Sequence, residues 1–177
     1  VGKSQKPRES FTVKSMAEDT IGLMDHLGIG KAHILGISMG GMIAQEIAIN
    51  HPERVNKLVV GCTKAGRDRV SNLHPDMIRA LGIKDGLDKE KGVDIDIGKE
   101  LSACVRVACN GTLARMLLLP LSRVVGIYVR VTGGQGLVGQ IEAIRSHTTL
   151  NRLRSIVAPT LVITGTGDRL VLPHCSD

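Results

Sequence analysis

A chain of 177 residues with 42% hydrophobic residues has the length of a single domain and enough apolar material for a core, which excludes a disordered polymer. Its aromatic residues are Phe11 and Tyr128, with no Trp, so any core or pocket is aliphatic and the composition argues against stacking on nucleobases. The net charge of +6 and the pI near 9.4 come from dispersed residues such as Arg106, Arg115, Arg123 and Arg130, while the densest charged run, Lys84 to Glu100, mixes both signs, which describes a solvated surface rather than a nucleic-acid patch.

The four cysteines, Cys62, Cys104, Cys109 and Cys175, form no C-x-x-C pair, and neither a signal peptide nor a bilayer-spanning apolar run is present. Free thiols in a cytoplasmic protein without a membrane partner are the expectation. The chain begins at Val1 rather than Met and stops at Leu172-Pro173-His174-Cys175-Ser176-Asp177 without a closing element, so a piece of a longer protein is expected.

Residues 1 to 10 are polar and read as loose. Ser15-x-x-Glu18 then reads as a capping box for a helix whose Met16, Leu23, Met24 and Leu27 fall at helical spacing and whose end is Gly28. Ile29 to Lys31 turn into the apolar run Ala32 to Leu35, which shows little alternation, as in a parallel strand covered on both faces. Gly36-Ile37-Ser38-Met39-Gly40-Gly41 follows, and a helix burying Met42, Ile43, Ile47 and Ala48 runs on to Asn50-His51-Pro52, where proline stops it. Val55 to Val60 is a second parallel strand. The sequence thus predicts a strand-helix-strand crossover whose site lies at the carboxyl ends of the strands.

Strand, sharp turn and helix around Gly36-x-Ser38-x-Gly40 have the geometry of an activated nucleophile. Held in a strained conformation, Ser38 is lifted clear of the sheet, Gly36 and Gly40 let strand and helix pack closely, and the Met39 N–H points at an oxygen approaching the serine. A phosphate-cradling turn is the alternative, but the Lys-Ser/Thr pair of a P-loop is missing. Beyond Gly61 the periodicity changes, with helices expected near Pro75 to Leu81, Lys99 to Leu119 and Leu137 to Ser146 and no clear buried strand. Ala158 to Asp168 restores an apolar β-branched strand that ends in small residues and one acid, Asp168.

Three motifs give the chain a family resemblance. Leu27 to Gly41 resembles the segment of α/β-hydrolase-fold serine hydrolases that leads into their nucleophile elbow, His51-Pro52-Glu53-Arg54-Val55 resembles the link to the next strand, and Ala158 to Asp168 resembles the strand and loop bearing the triad acid. Gly136-Leu137-Val138-Gly139-Gln140 and Ile156-x-Ala158-Pro159-Thr160 look most like the small esterase, enol-lactonase and cofactor-free haloperoxidase-like branch. The resemblance implies an α/β class with parallel central strands, flanking helices and a mostly helical cap: hydrolase core over 1–63, cap over 64–153, core strand and acid loop over 154–177.

It also implies Ser38 as nucleophile, Asp168 as the acid that orients a histidine, Met39 as an oxyanion donor, and a small ester or lactone as substrate, with no cofactor and no metal. A serine at the elbow is unlike the dehalogenase and epoxide-hydrolase branches, which carry an aspartate there. The family's histidine follows one more helix and strand after the acid; only His174 lies downstream here, and His26, His33, His51, His74 and His147 read as helix, strand-edge or surface residues. The second oxyanion donor of the family, on a loop after an early strand, has no counterpart before Phe11, so the chain by itself is expected to be inactive, and its oligomeric state is not specified.

Two other classes compete. Gly134-Gln135-Gly136-Leu137-Val138-Gly139 matches G-x-G-x-x-G after the apolar run Val124 to Val131, as in a nucleotide-binding protein, but the acid expected about 20 positions on is absent. A non-catalytic binding protein of the same fold is the other, against which the pairing of Ser38 with Asp168 argues. Asp94-Ile95-Asp96-Ile97-Gly98 lacks the third acid and the closing glutamate of a calcium loop, and Cys104 and Cys109 read as core thiols rather than zinc ligands.

Overall fold

The computed structural model describes residues 12–66, 102, 105, 112–131, 135–168 and 171–173. They fall into two compact units, one holding 12–66, 139–167 and 173, the other 102, 105, 112–131, 135–138, 168 and 171–172. The expected helix over Pro75 to Leu81, the charged run Lys84 to Glu100, His74, His174 and the Asp94 to Gly98 stretch lie outside the described residues.

The first unit begins with α1 (Val13–His26). Thr12 is its N-cap: the Thr12 side chain accepts from the Ser15 N–H at 3.1 Å while the Ser15 hydroxyl accepts from the Thr12 N–H at 2.9 Å. The capping box therefore starts three residues before the predicted one, with Ser15 serving as its closing member rather than its opening one. Of the four apolar residues at helical spacing, Met24 is buried and Met16 packs partly buried against Val13 and Met42, whereas Leu23 and Leu27 are exposed; Val13, Ala17 and Ile21 complete the inward stripe, where the small Ala17 lets it approach its neighbour closely. Gly28, at φ 66°, takes the left-handed conformation that ends the helix.

Strand β1 (Ala32–Ile37) leads into α2 (Met39–Asn50), a 3-10 turn over Pro52–Arg54 and strand β2 (Val55–Gly61). Pro52 stops α2 as the sequence predicts. After residue 138 the same unit contains the C-terminal part of a helix over Gln135–Ser146, a 3-10 stretch over Leu150–Ser155 and strand β3 (Thr160–Ile163). The three strands form one parallel sheet in the order β1-β2-β3, with Ile37 opposite Gly61 and Gly61 opposite Ile163, so their carboxyl ends are flush.

The core is the layer between helices and sheet: Ala17, Ile21 and Met24 of α1, Ala44, Ile47 and Ala48 of α2, and Val55, Leu58 and Val60 of β2. Ala32 and Ile34 of β1 pack against it, while Leu35 and Ile37 are 68% and 62% exposed. Burial along β1 therefore alternates, contrary to the expectation of a strand covered on both faces, since α1 and α2 share a single core with one face of the sheet. Val13, Met42 and Ala143 form a second small cluster.

In the second unit, α3 (Thr112–Val131) contains the apolar run Val124 to Val131, and α4 names the helix over Gln135–Ser146 that continues into the first unit. Helix is present within the predicted Lys99 to Leu119 stretch, at residues 102, 105 and 112–119, and α3 runs on past its predicted end to Val131. The run before the G-x-G-x-x-G match is helix rather than strand, so the strand that a dinucleotide fingerprint requires ahead of its glycines is not there among the described residues.

Ile47 is 1% exposed at the centre of the core, so Ile47→Ala leaves a cavity that its neighbours cannot collapse into. A loss of about 2–5 kcal/mol in urea unfolding is expected, whereas Leu23→Ala, at an exposed position of α1, changes stability by less than about 0.5 kcal/mol.

Candidate active site

β1 stops at Ile37 and α2 starts at Met39, which leaves Ser38 alone to reverse the chain. It does so at φ 55°, ψ −124°, a region costing a non-glycine residue about 1–3 kcal/mol. The hydroxyl is not spent on capping α2, and the residue is exposed. The backbone around it is fully committed: the Ser38 N–H donates to the Gly61 carbonyl at 3.0 Å, and the Ser38 carbonyl accepts from the N–H groups of Gly41 (2.9 Å) and Met42 (3.3 Å) and from the Thr63 hydroxyl (2.7 Å). Met39 opens α2, so its N–H belongs to the first helical turn, whose donors have no intrahelical acceptor.

The glycines divide the steric demand differently from the sequence reading. A Cβ on Gly36 would run into the carbonyl of Gly40 and the nitrogen of Gly41, whereas a Cβ on Gly40 would meet nothing within 4 Å. On the helix side the crowded position is Gly41, whose Cβ would lie 2.6 Å from the Thr63 Cβ and 2.7 Å from its hydroxyl oxygen. Gly40 matters through its backbone carbonyl, which Gly36 must accommodate.

Asp168 lies just past β3, outside the first unit, and its carboxylate accepts the Val171 N–H at 3.0 Å. The described histidines are His26, His33, His51 and His147. His26 is in the last turn of α1, His33 is the second residue of β1 and is exposed, and His51 follows α2 with its Nε2 at 3.1 Å from Glu18. No group of three or more metal-ligating residues occurs among the described residues.

Behind the elbow lies a buried polar cluster that the sequence reading missed. Glu46 of α2, with a side chain 4% exposed, receives both Arg152 nitrogens (Nη1 at 3.0 Å, Nη2 at 2.7 Å) and the Asn50 amide at 2.9 Å. His147, which the sequence groups with the other upstream histidines as a helix, strand-edge or surface residue, is buried, with Nδ1 at 3.7 Å from Glu46 and Nε2 at 3.5 Å from the Thr149 hydroxyl. That hydroxyl lies 2.5 Å from the Gln45 side-chain oxygen and 2.9 Å from the Ala65 carbonyl. Burial alone would raise the Glu46 carboxyl, but the hydrogen bonds from Arg152 and Asn50 and the Arg152 charge together hold it below its ordinary value. Burial pushes the His147 imidazole down, with Glu46 opposing and Arg152 and Lys64 adding to the effect. Nothing local in the sequence points to this cluster, since Arg152 and Thr149 lie far from Glu46 and Gln45 along the chain.

Two outcomes follow from this geometry. Ser38→Gly removes the left-handed strain and Ser38→Ala does not, so the glycine variant should unfold at the higher temperature, by roughly 2–4 °C for each kcal/mol of relief, despite the greater chain entropy of glycine. For the cluster, the lowered folded-state value of His147 means that the unfolded chain takes up a proton the folded one refuses. Stability should therefore fall as pH drops below about 6.5, and His147→Gln should lose that part of the pH dependence in urea titrations. The Glu46 contribution has the same sign and is lost only as pH falls below about 4.5, so it persists in that variant.

The family model for the alpha/beta hydrolase fold matches residues 1–88. The chain is 29% identical over 174 residues to a poly(3-hydroxyalkanoate) depolymerase of Ectopseudomonas oleovorans, covering 97% of this chain and 56% of that one. Over 84 residues it is 36% identical to 3-oxoadipate enol-lactonase 2 of Acinetobacter baylyi, covering 46% of this chain and 32% of the lactonase. A crystal structure of a hydrolase from Pseudomonas aeruginosa superimposes with a TM-score of 0.67 at 25% identity, over 99% of this chain and 62% of that one. This chain thus spans little more than half of the length of its longest-matching relatives. With its parallel sheet, its strained serine at the strand-helix turn and these matches together, the chain has the α/β-hydrolase fold.

Proposed function

We propose that this protein is a serine hydrolase that cleaves a carboxylic ester or lactone through an acyl-enzyme on Ser38. The observation that carries the reading is Ser38 itself: an exposed serine in a left-handed conformation at the head of α2, its backbone fully bonded and its hydroxyl not used as a cap. Strain of this kind persists only where surrounding contacts hold it in place, and it concentrates at functional sites. The names of the depolymerase and the enol-lactonase support an ester-type substrate.

In this mechanism the Ser38 oxygen attacks the substrate carbonyl carbon while a histidine base takes its proton. The carbonyl oxygen becomes an oxyanion facing the Met39 N–H, the alkoxide leaves with the proton from the histidine, and water hydrolyses the acyl-serine by the reverse sequence of transfers. Asp168 holds the histidine in its productive tautomer. The chemistry requires no cofactor, and the free thiol of Cys62 fits a cytoplasmic setting. Among the described residues no helix is long and apolar enough to cross a membrane.

In the full-length protein, a fluorophosphonate probe should label Ser38, with the adduct located by peptide mass spectrometry and abolished in Ser38→Ala. Labelling that survives in the alanine variant, or that falls on another serine, would remove Ser38 from the role of nucleophile.

A further inference from the structure

We infer that Thr63 is a positioning residue for the reaction, its hydroxyl aiming the Met39 N–H at the oxyanion by pinning the carbonyl of Ser38. The inference rests on the hydrolase reading for its chemical consequence, but its structural content stands apart from it. The Ser38 carbonyl and the Met39 N–H belong to one planar trans peptide unit, so fixing the direction of the oxygen fixes the direction of the N–H on the opposite side. The Gly41 and Met42 N–H groups alone would leave that plane to the first turn of a helix, where ends fray. The Thr63 hydroxyl, at 2.7 Å, is a third donor, the shortest of the three, and the one that comes from outside α2.

Thr63 reaches this place because β2 ends as β1 does. Cys62, the first residue beyond the strand, is the other non-glycine residue with positive φ among the described residues, at 44°. Its N–H still donates to Ile163 in the sheet at 2.9 Å, while its left-handed turn sends the chain back over the end of β1. Thr63 is then buried at 5% exposure against Gly41, where a methyl group on the glycine would overlap its Cβ, Cγ2 and Oγ1. A strained residue, a buried hydroxyl and an enforced glycine thus converge on a single carbonyl oxygen. A purely structural threonine would need none of the three to be aimed there.

The test uses Thr63→Val, which keeps the shape and removes the donor, and Thr63→Ser, which keeps the donor, both in the full-length protein. On p-nitrophenyl acetate, the valine variant should lose roughly five- to tenfold in kcat with KM little changed, the serine variant should recover most of the loss, and fluorophosphonate labelling should slow in parallel. Hydrogen exchange at the Gly41 and Met42 amides should quicken in the valine variant while α1 exchanges as before. Gly41→Ala, which displaces Thr63, should cost little more when combined with Thr63→Val than alone. Unchanged exchange at these amides in Thr63→Val, faster exchange throughout the chain, or equal loss in the valine and serine variants would overturn the proposal. Absence of Ser38-dependent turnover in the parent protein would instead sink the hydrolase reading, and the exchange measurement would still decide whether Thr63 pins the carbonyl.

Discussion

The structure of the first unit depends on one constraint: the chain must pass from β1 to α2 through a single residue. Ordinary backbone conformations do not permit so abrupt a turn, so Ser38 enters the left-handed region at a cost of about 1–3 kcal/mol. The contacts that offset this cost are local and identifiable. The Ser38 N–H remains in the sheet through Gly61, and its carbonyl is held by Gly41, Met42 and Thr63. Gly36 and Gly41 are glycines because the helix start is drawn so close to the strand end that a methyl group at either position has no room. The exposure of the hydroxyl is a by-product of the same geometry, since a residue that turns the chain outside both elements cannot be covered by either.

A strained turn would relax if the helix behind it could slide or rotate, and α2 is prevented from doing so. Its middle carries Glu46, a buried carboxylate that is tolerable only because Arg152 meets it with two nitrogens and Asn50 with a third. One turn of the helix thereby becomes attached to the segment before β3. Gln45, beside it, reaches the Lys64 carbonyl at 3.4 Å and the Thr149 hydroxyl, joining α2 to the loop after β2. The apolar core on the same helix, Ala44, Ile47 and Ala48, is non-directional and would not by itself prevent a small rotation. The directional bonds of Glu46 and Gln45 supply what the core lacks.

The elements legible in the sequence were those whose signals are local. β1, α2 and β2 follow from an apolar run, a helical repeat and a proline, and β3 from a β-branched run after Pro159. The elbow follows from a serine between glycines. What could not be read is non-local. Glu46 looks like an ordinary helix-surface acid until Arg152, which has no periodic relation to it, is brought alongside. On α1, helical spacing identifies Met16 and Met24 on the packed side but not the exposure of Leu23 and Leu27 or the burial of Ala17, because a small residue is what allows two helices to approach. The alternation of burial in β1 was likewise invisible, because an unbroken apolar run does not say which face the helices will take. The G-x-G-x-x-G match failed for the same reason in reverse: a short motif was present, but the preceding run is helical.

The flush ends of the three strands connect these observations. With Ile37, Gly61 and Ile163 in register, Ser38, Cys62 and Thr164 are the first residues beyond the sheet on neighbouring strands. Each must leave the sheet at the same level, where the neighbouring chain end occupies the space an extended continuation would need. Ser38 and Cys62 both leave by a left-handed turn, while the Thr164 hydroxyl is buried with no hydrogen-bond partner among the described residues. Two strained non-glycine residues and an unpaired buried hydroxyl thus lie at the carboxyl ends of the three strands. In a parallel sheet the strands all run one way, so such features accumulate at one end rather than averaging out. The register of β1, β2 and β3 therefore sets the level at which Ser38, Cys62 and Thr164 leave the sheet side by side.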